Sequence, residues 1–224
     1  LAEYVWNGLK NPKVKLDNPR TAVFVFFIGG KCYCCLLENE LKQDFDNRKA
    51  HKRPELHPSS MHPRLARVLV NLTGILKGEI VDPFCGSGGI LIEAGLMGLR
   101  GVGYDIDQIM LTRAKINLEY YSVKNFKLVK KDALKLKRKI NYIVTDLPYG
   151  KNTKKTELGL LYSGFLINLR KVLSKRAVVV FPVFPVRNIN YSKLIQDGGL
   201  KIVSKYEIYI HKSMSKRIFV IEKS

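Results

Sequence analysis

The chain has 224 residues, 46% of them hydrophobic, enough for one α/β domain with its own core plus an appendage. It holds no apolar run of about 18 residues and no charged N-terminal region leading into an apolar stretch, so neither a membrane-spanning helix nor a secretory signal is expected. Lysine and arginine number 39 against 19 aspartate and glutamate, a formal charge of +20, and such a field attracts polyanions.

Heat-adapted chains enrich glutamate together with lysine; this one does not, which leaves nucleic-acid binding as the expected meaning of the charge. The chain starts with Leu1 rather than Met, so a fragment of a longer polypeptide is expected. Cys32, Cys34 and Cys35 lie in an alternating apolar stretch with no histidine at zinc-finger spacing, and Cys85 stands apart. Buried strand cysteines, no metal site and a reducing cytoplasmic location are expected.

Residues 1–10 read as a short helix. TAVFVFFI at 21–28 and KCYCCLL at 31–37 flank Gly29-Gly30 and predict a β-hairpin, too small to be a domain alone. From Arg48 to Pro63 the chain is polar and rich in proline and histidine, a linker or lid. Residues 64–76 carry apolar side chains at helical spacing. Strands and helices then alternate: strand 79–84, helix 89–98, strand 101–105, helix 107–120, strands 126–130 and 140–146, helix 158–173, strand 177–181 and a short helix at 191–197. Two strands, 205–211 and 217–222, flank Lys212-Ser213-Met214-Ser215-Lys216. The expected fold is α/β, a doubly wound, mostly parallel sheet that ends in an antiparallel hairpin, as in the class I (Rossmann-like) methyltransferases.

IVDPFCGSGG at 80–89 sends a strand into a glycine turn that opens a helix, and Gly86, Gly88 and Gly89 admit a ligand close to the backbone. Asp105 ends the next strand 19 residues after Gly86, the spacing of a ribose-hydroxyl acceptor, with Ile106 beside it. The loop lacks the first glycine of G-x-G-x-x-G, and Asp82 would repel a pyrophosphate. S-adenosylmethionine has no phosphate and two positive groups, so it suits an acidic neighbour. Asp132 follows the third strand; it reads either as an acceptor for an adenine amine or as a helix N-cap.

TDLPYG at 145–150 is the most specific motif. An exocyclic base amine is a poor nucleophile because its lone pair is delocalised. Asp146 and a backbone carbonyl near Leu147-Pro148 can each accept one N–H, and both bind more tightly as the nitrogen becomes positive. Tyr149 can stack on a flipped base. Carbon-5 methylation of a pyrimidine needs a cysteine nucleophile, and no cysteine follows Cys85.

DPFCGSGGILIEA, DLPYG and the upstream H-P-x-S-M-x-P-R-L-A-R together resemble the archaeal tRNA guanine N2-methyltransferases that act at position 10 of tRNA. The resemblance covers residues 48–224; residues 1–45 resemble the C-terminal end of the THUMP RNA-binding domain that precedes the catalytic domain in that family. It implies S-adenosylmethionine as donor and tRNA as partner, and a division into a THUMP-like remnant at 1–47, a linker or lid at 48–63 and a methyltransferase domain at 64–224. It implies cofactor contacts from Asp82, Cys85, Gly86, Gly88, Asp105, Ile106, Asp132 and Ala133, a catalytic set of Asp146, Leu147, Pro148 and Tyr149, and packing of the region around His57 over the cofactor. Basic clusters at 124–139, at Lys151, Lys154 and Lys155, and at 201–217 are expected to meet RNA phosphates. Competing readings are an amino-methyltransferase for rRNA guanine or DNA adenine, and a non-catalytic RNA-binding module that kept the fold.

Overall fold

The computed structural model describes residues 2–39, 44–57, 60–150, 155–184 and 189–223. The chain divides into two compact units, Leu1–Asp44 and Phe45–Ser224.

In the first unit, helix α1 (Ala2–Asn7) precedes strands β1 (Val23–Ile28) and β2 (Lys31–Leu36), paired antiparallel from Val23↔Leu36 to Ile28↔Lys31. Gly29 and Gly30 both have positive φ, +55° and +75°, the backbone a two-residue hairpin turn requires. Cys32, Cys34 and Cys35 are exposed, contrary to the expectation of buried cysteines. The reason is geometric: both faces of a two-stranded ribbon lack a layer of their own to pack on.

The second unit is built on a seven-stranded sheet in the order β5-β4-β3-β6-β7-β9-β8. Its strands are β3 (Glu79–Asp82), β4 (Arg100–Asp105), β5 (Phe126–Lys130), β6 (Ile140–Asp146), β7 (Leu173–Val183), β8 (Leu200–His211) and β9 (Met214–Lys223). Strands β3 to β7 pair in parallel, and β9 runs antiparallel to both β7 and β8. This is the doubly wound sheet with an antiparallel end that the sequence predicts. Helices α2 (Pro63–Leu72) and α3 (Gly89–Leu96) cover one face, where Ile80, Val144, Val178, Val180, Ile218 and Val220 meet Leu69 and Ile90. Helices α5 (Lys155–Val172) and α6 (Tyr191–Asp197) cover the other, where Val81, Ile143, Val179, Phe181 and Phe219 meet Phe165 and Leu166. Buried on both sides, β7 needs no polar alternation, which explains the run AVVVF. Helix α4 (Gln108–Tyr120) packs Leu111 and Leu118 against Leu91 and Ile92.

Several element limits differ from the expected ones; β7, for example, runs from Leu173 to Val183 rather than over 177–181. Helix α2 ends at Leu72, and Ile75 is buried where Leu76 is 95% exposed. Strand β8 begins at Leu200, and β9 begins at Met214, so the connecting turn is only Lys212-Ser213 and Lys216 lies inside a strand. Residues 45–57, which take in the last three residues of the expected 1–47 remnant and the first part of the stretch read as linker or lid, form short 3-10 turns at 46–48 and 50–52 and belong to the second unit. Arg48 and Arg67 both pair with Glu93, whose side chain is fully buried, at 2.7 and 3.0 Å. No helix among the described residues is long and apolar enough to cross a membrane.

Candidate functional site

The carboxyl ends of β3, β4, β5 and β6 converge on a cavity of about 660 Å³, the place where open α/β sheets bind ligands. Asp82, Cys85, Gly86, Asp105, Ile106, Asp132, Ala133, Asp146, Leu147, Pro148 and Tyr149 all line it, and so does His57. Gly88 does not. It stands at the N-cap of α3 with φ +86°, and a Cβ there would lie 3.2 Å from the Ala114 methyl, so its glycine serves the turn and the α3–α4 packing.

Asp105 builds the loop before it can hold anything else. Its Oδ2 accepts from the Gly86 N–H at 2.9 Å and its Oδ1 from the Asp107 N–H at 2.9 Å, which fixes the carboxylate across the glycine turn. Each oxygen retains a lone pair for a hydroxyl donor. Gly103, two residues earlier, is required by packing: a Cβ there would meet Leu91, Cys85 and Leu128 at 2.7–2.9 Å. Ile106 lines the cavity and is 68% exposed, a largely uncovered apolar surface. Asp132 caps the 3-10 turn at Ala133–Lys135, its Oδ1 accepting from the Leu134 N–H at 2.9 Å, so the N-cap reading holds for one oxygen of a residue that also lines the cavity.

Asp82 is buried, and its Oδ1 accepts from the Thr145 hydroxyl at 2.7 Å and the Phe84 N–H at 3.2 Å. Burial pushes its carboxyl up to about 7, against the pull of those two bonds. Burial likewise pushes the Cys85 thiol up, helped by Asp82 and Asp105, so it is a protonated packing group rather than a nucleophile.

At the end of β6, the Leu147 N–H donates to the Val180 carbonyl at 3.0 Å and holds the DLPY turn to β7. The Pro148 carbonyl accepts from the Tyr162 hydroxyl on α5 at 2.7 Å. Asp146 Oδ2 accepts from the Tyr149 hydroxyl at 2.7 Å and from the Lys216 ammonium at 2.6 Å. Asp146 Oδ1 is buried and has no hydrogen-bond partner among the described residues. Burial raises the Asp146 carboxyl above its ordinary range, opposed by Lys216 and Tyr149. Burial and the adjacent Asp146 raise the Tyr149 phenol. Tyr149 therefore anchors the acid as well as offering a ring, and the Lys216 ammonium sits 5.0 Å from that ring's centroid.

The sequence places Lys216 among RNA-facing lysines; in the structure it is 4% exposed and paired with Asp146. Its signal lies in the alternation of β9, where 216, 218 and 220 share one face and two of the three are apolar core residues. Ser60 and Met61 of the upstream motif and Lys131 of the 124–139 cluster also line the cavity, as does Met110, which no motif in the sequence marks. Lys151 and Lys154 lie outside the described residues, as do Pro58 and Ser59 of the upstream motif. No group of three or more metal-ligating side chains occurs among the described residues.

The family described as RMKL-like, methyltransferase domain matches residues 50–215. A tRNA (guanine(10)-N2)-dimethyltransferase of Methanothermobacter thermautotrophicus is 38% identical over 220 residues, 94% of this chain and 64% of that protein. A probable tRNA (guanine(10)-N2)-dimethyltransferase of Methanothermococcus thermolithotrophicus is 37% identical over 173 residues, 72% of this chain and 99% of that one. In three dimensions the chain is similar to TrmN from Thermus thermophilus, with a TM-score of 0.64 and 21% identity over 94% of this chain and 62% of that one. The chain thus spans 64% of the length of the first of these relatives, and it belongs to the RMKL-like methyltransferase family.

Proposed function

We propose that this chain carries the catalytic domain of a tRNA methyltransferase that moves a methyl group from S-adenosylmethionine to the exocyclic N2 amine of a guanosine, the one at position 10. The first compact unit, Leu1–Asp44, would be most of the THUMP-like RNA-binding remnant expected at 1–47. The observation that carries the reading is Asp146 Oδ1, a buried acceptor without a partner among the described residues at the wall of a ligand-sized cavity. An unmet buried acceptor calls for a donor, and a base amine supplies one. The names of the relatives favour tRNA guanine as its source.

The cavity fits the cofactor chemically. Asp105 can take the ribose hydroxyls, Ile106 the adenine face, Asp132 the adenine amine, and Asp82 the neighbourhood of the positive groups. When bound, S-adenosylmethionine supplies an electrophilic methyl carbon. The chain's own residues do the rest. Asp146 accepts one N–H of the amine and a main-chain carbonyl of the Leu147-Pro148 turn accepts the other, which aims the lone pair away from the base plane. Both acceptors gain strength as the nitrogen becomes positive, so they bind the transition state better than the ground state. Tyr149 offers its ring to the extruded base, and Tyr162 steadies the Pro148 carbonyl.

Mass spectrometry of nucleosides from tRNA treated with the intact protein tests the reading. N2-methylated guanosine is expected from wild type, with no methyladenosine from DNA and no modified guanosine from rRNA. Asp146→Asn is expected to lower kcat by about 10²–10³-fold while S-adenosylhomocysteine still binds. Full turnover by that variant would remove Asp146 from the chemistry.

A further inference from the structure

We propose that Lys216 is a positioning residue of the methyl-transfer site: its ammonium ties down Oδ2 of Asp146, fixing the charge on that carboxylate and leaving Oδ1 for the substrate amine. The inference rests on the proposed function for the role of Asp146. Its own foundation is the geometry of three side chains.

Lys216 occupies an inward position of β9, in register with Pro182 of β7, and its side chain is only 5% exposed. A charged residue in that position is costly unless paired. Its nitrogen lies 2.6 Å from Asp146 Oδ2 and over the ring of Tyr149, whose hydroxyl bonds the same oxygen. Among the described residues, two donors thus converge on one carboxylate oxygen and none on the other. Two apolar residues in place of a buried ion pair are commonly as stable or more so, so stability alone does not call for a cation here. A reaction that develops positive charge on nitrogen favours an ionised acid, and because Oδ2 already accepts from Lys216 and Tyr149, a proton would fall on Oδ1 and present a donor where an acceptor is required.

The titratable groups around Asp146 are Lys216 from β9, Tyr149 from its own turn, Asp82 from β3 and, beyond Tyr149, Tyr162 from α5. Among the described residues, Lys216 is the only cation of this group. Asp82 acts in the opposite sense, since two nearby carboxylates disfavour each other's charge. Removing Lys216 therefore pushes the Asp146 carboxyl further up, and the ionised fraction at a given acid pH falls.

The intact protein with tRNA and S-adenosylmethionine provides the test, with kcat and KM measured from roughly pH 5 to 9. Lys216→Arg keeps a cation and is expected to keep the wild-type acid limb. Lys216→Gln keeps a donor without charge, and Lys216→Met keeps neither. Both are expected to move the acid limb of kcat upward by about one unit or more, with a loss of ~10-fold at mildly acid pH that recovers as pH rises, and with KM for tRNA little changed. Binding of S-adenosylhomocysteine checks that each variant is folded. An acid limb of the Gln and Met variants at the wild-type position overturns the proposal.

A second measurement needs neither turnover nor a neutralised Lys216. The carbon-13 signal of the Asp146 carboxyl in wild-type protein, assigned with Asp146→Asn, is expected to be that of a carboxylate at pH 7; a protonated carboxyl there also overturns it. A wild type that transfers no methyl group to guanosine would instead remove the reading of the site, and the same carbon-13 signal titrated in wild type and in Lys216→Gln would still decide whether Lys216 sets the charge of Asp146.

Discussion

Asp82 shows how burial sets chemistry one residue at a time. Its carboxyl rises to about 7 because burial costs the charged form more than the Thr145 and Phe84 hydrogen bonds recover. In the unfolded chain the same group titrates near 4. The folded state therefore binds the proton more tightly. The associated stability is full below the unfolded value and is lost as pH rises through about 7. Denaturant unfolding from pH 4 to 8 should show stability falling on the order of a few kcal/mol across this window for Asp82 alone, and Asp82→Asn should flatten that slope. A slope unchanged by the substitution would mean that the acid is ionised in its pocket. The identity of such residues was legible in the sequence, because Asp82, Asp105 and Asp146 each end a strand beside a turn motif. Their states were not, because a protonation state depends on what surrounds a side chain in three dimensions. The role of Lys216 was hidden for a related reason: 70 residues separate it from Asp146, and only the sheet order brings β9 within reach of β6.

At the scale of elements, the parallel strands and their helices were readable because continuous apolar runs alternate with helical spacing. The polar segment before α2 was not, because its anchoring is electrostatic and non-local. One clue was present. Glu93 interrupts the otherwise apolar run GGILIEAGLMG, and a carboxylate in such a helix demands a partner. Arg48 and Arg67 supply it, with side chains 12% and 15% exposed against 0% for Glu93. Asn117 adds to this fastening: its amide bonds both the N–H and the carbonyl of Glu55, and also the Ser87 carbonyl in the glycine loop. The segment, the loop and α4 are therefore one mechanical unit beneath the cavity. Glu93→Ala takes the shared carboxylate from two largely buried guanidinium groups, and should cost about 3–5 kcal/mol. Limited proteolysis should then cut within residues 45–57 before the sheet unfolds. A variant that unfolds as one step at the wild-type denaturant midpoint would show that the segment is held by other interactions.

For the whole molecule, the charge of +20 has to be placed before it has meaning. The 201–217 cluster is weaker as an RNA surface than its composition suggests, since Lys216 is buried against Asp146 and Arg217 pairs with Glu207 at 2.7 Å. The 124–139 stretch is different. Lys124, Lys127, Lys130, Lys131, Lys135, Lys137 and Lys139 are all exposed along edge strand β5 and the turn after it, and Lys131 reaches the cavity wall. A polyanion held along this edge lies beside the part of the cavity wall that Lys131 forms. Binding of tRNA to the intact protein should then weaken steeply with salt, with a slope in log Kd against log salt proportional to the phosphates neutralised. Reversing Lys127, Lys135 and Lys137 to glutamate should lower that slope by about 0.7–0.9 for each phosphate no longer neutralised. Those residues do not line the cavity, so affinity for S-adenosylhomocysteine should stay at the wild-type value. A salt slope untouched by the triple reversal would move the RNA path off this edge and leave the lysines as solvated surface charge.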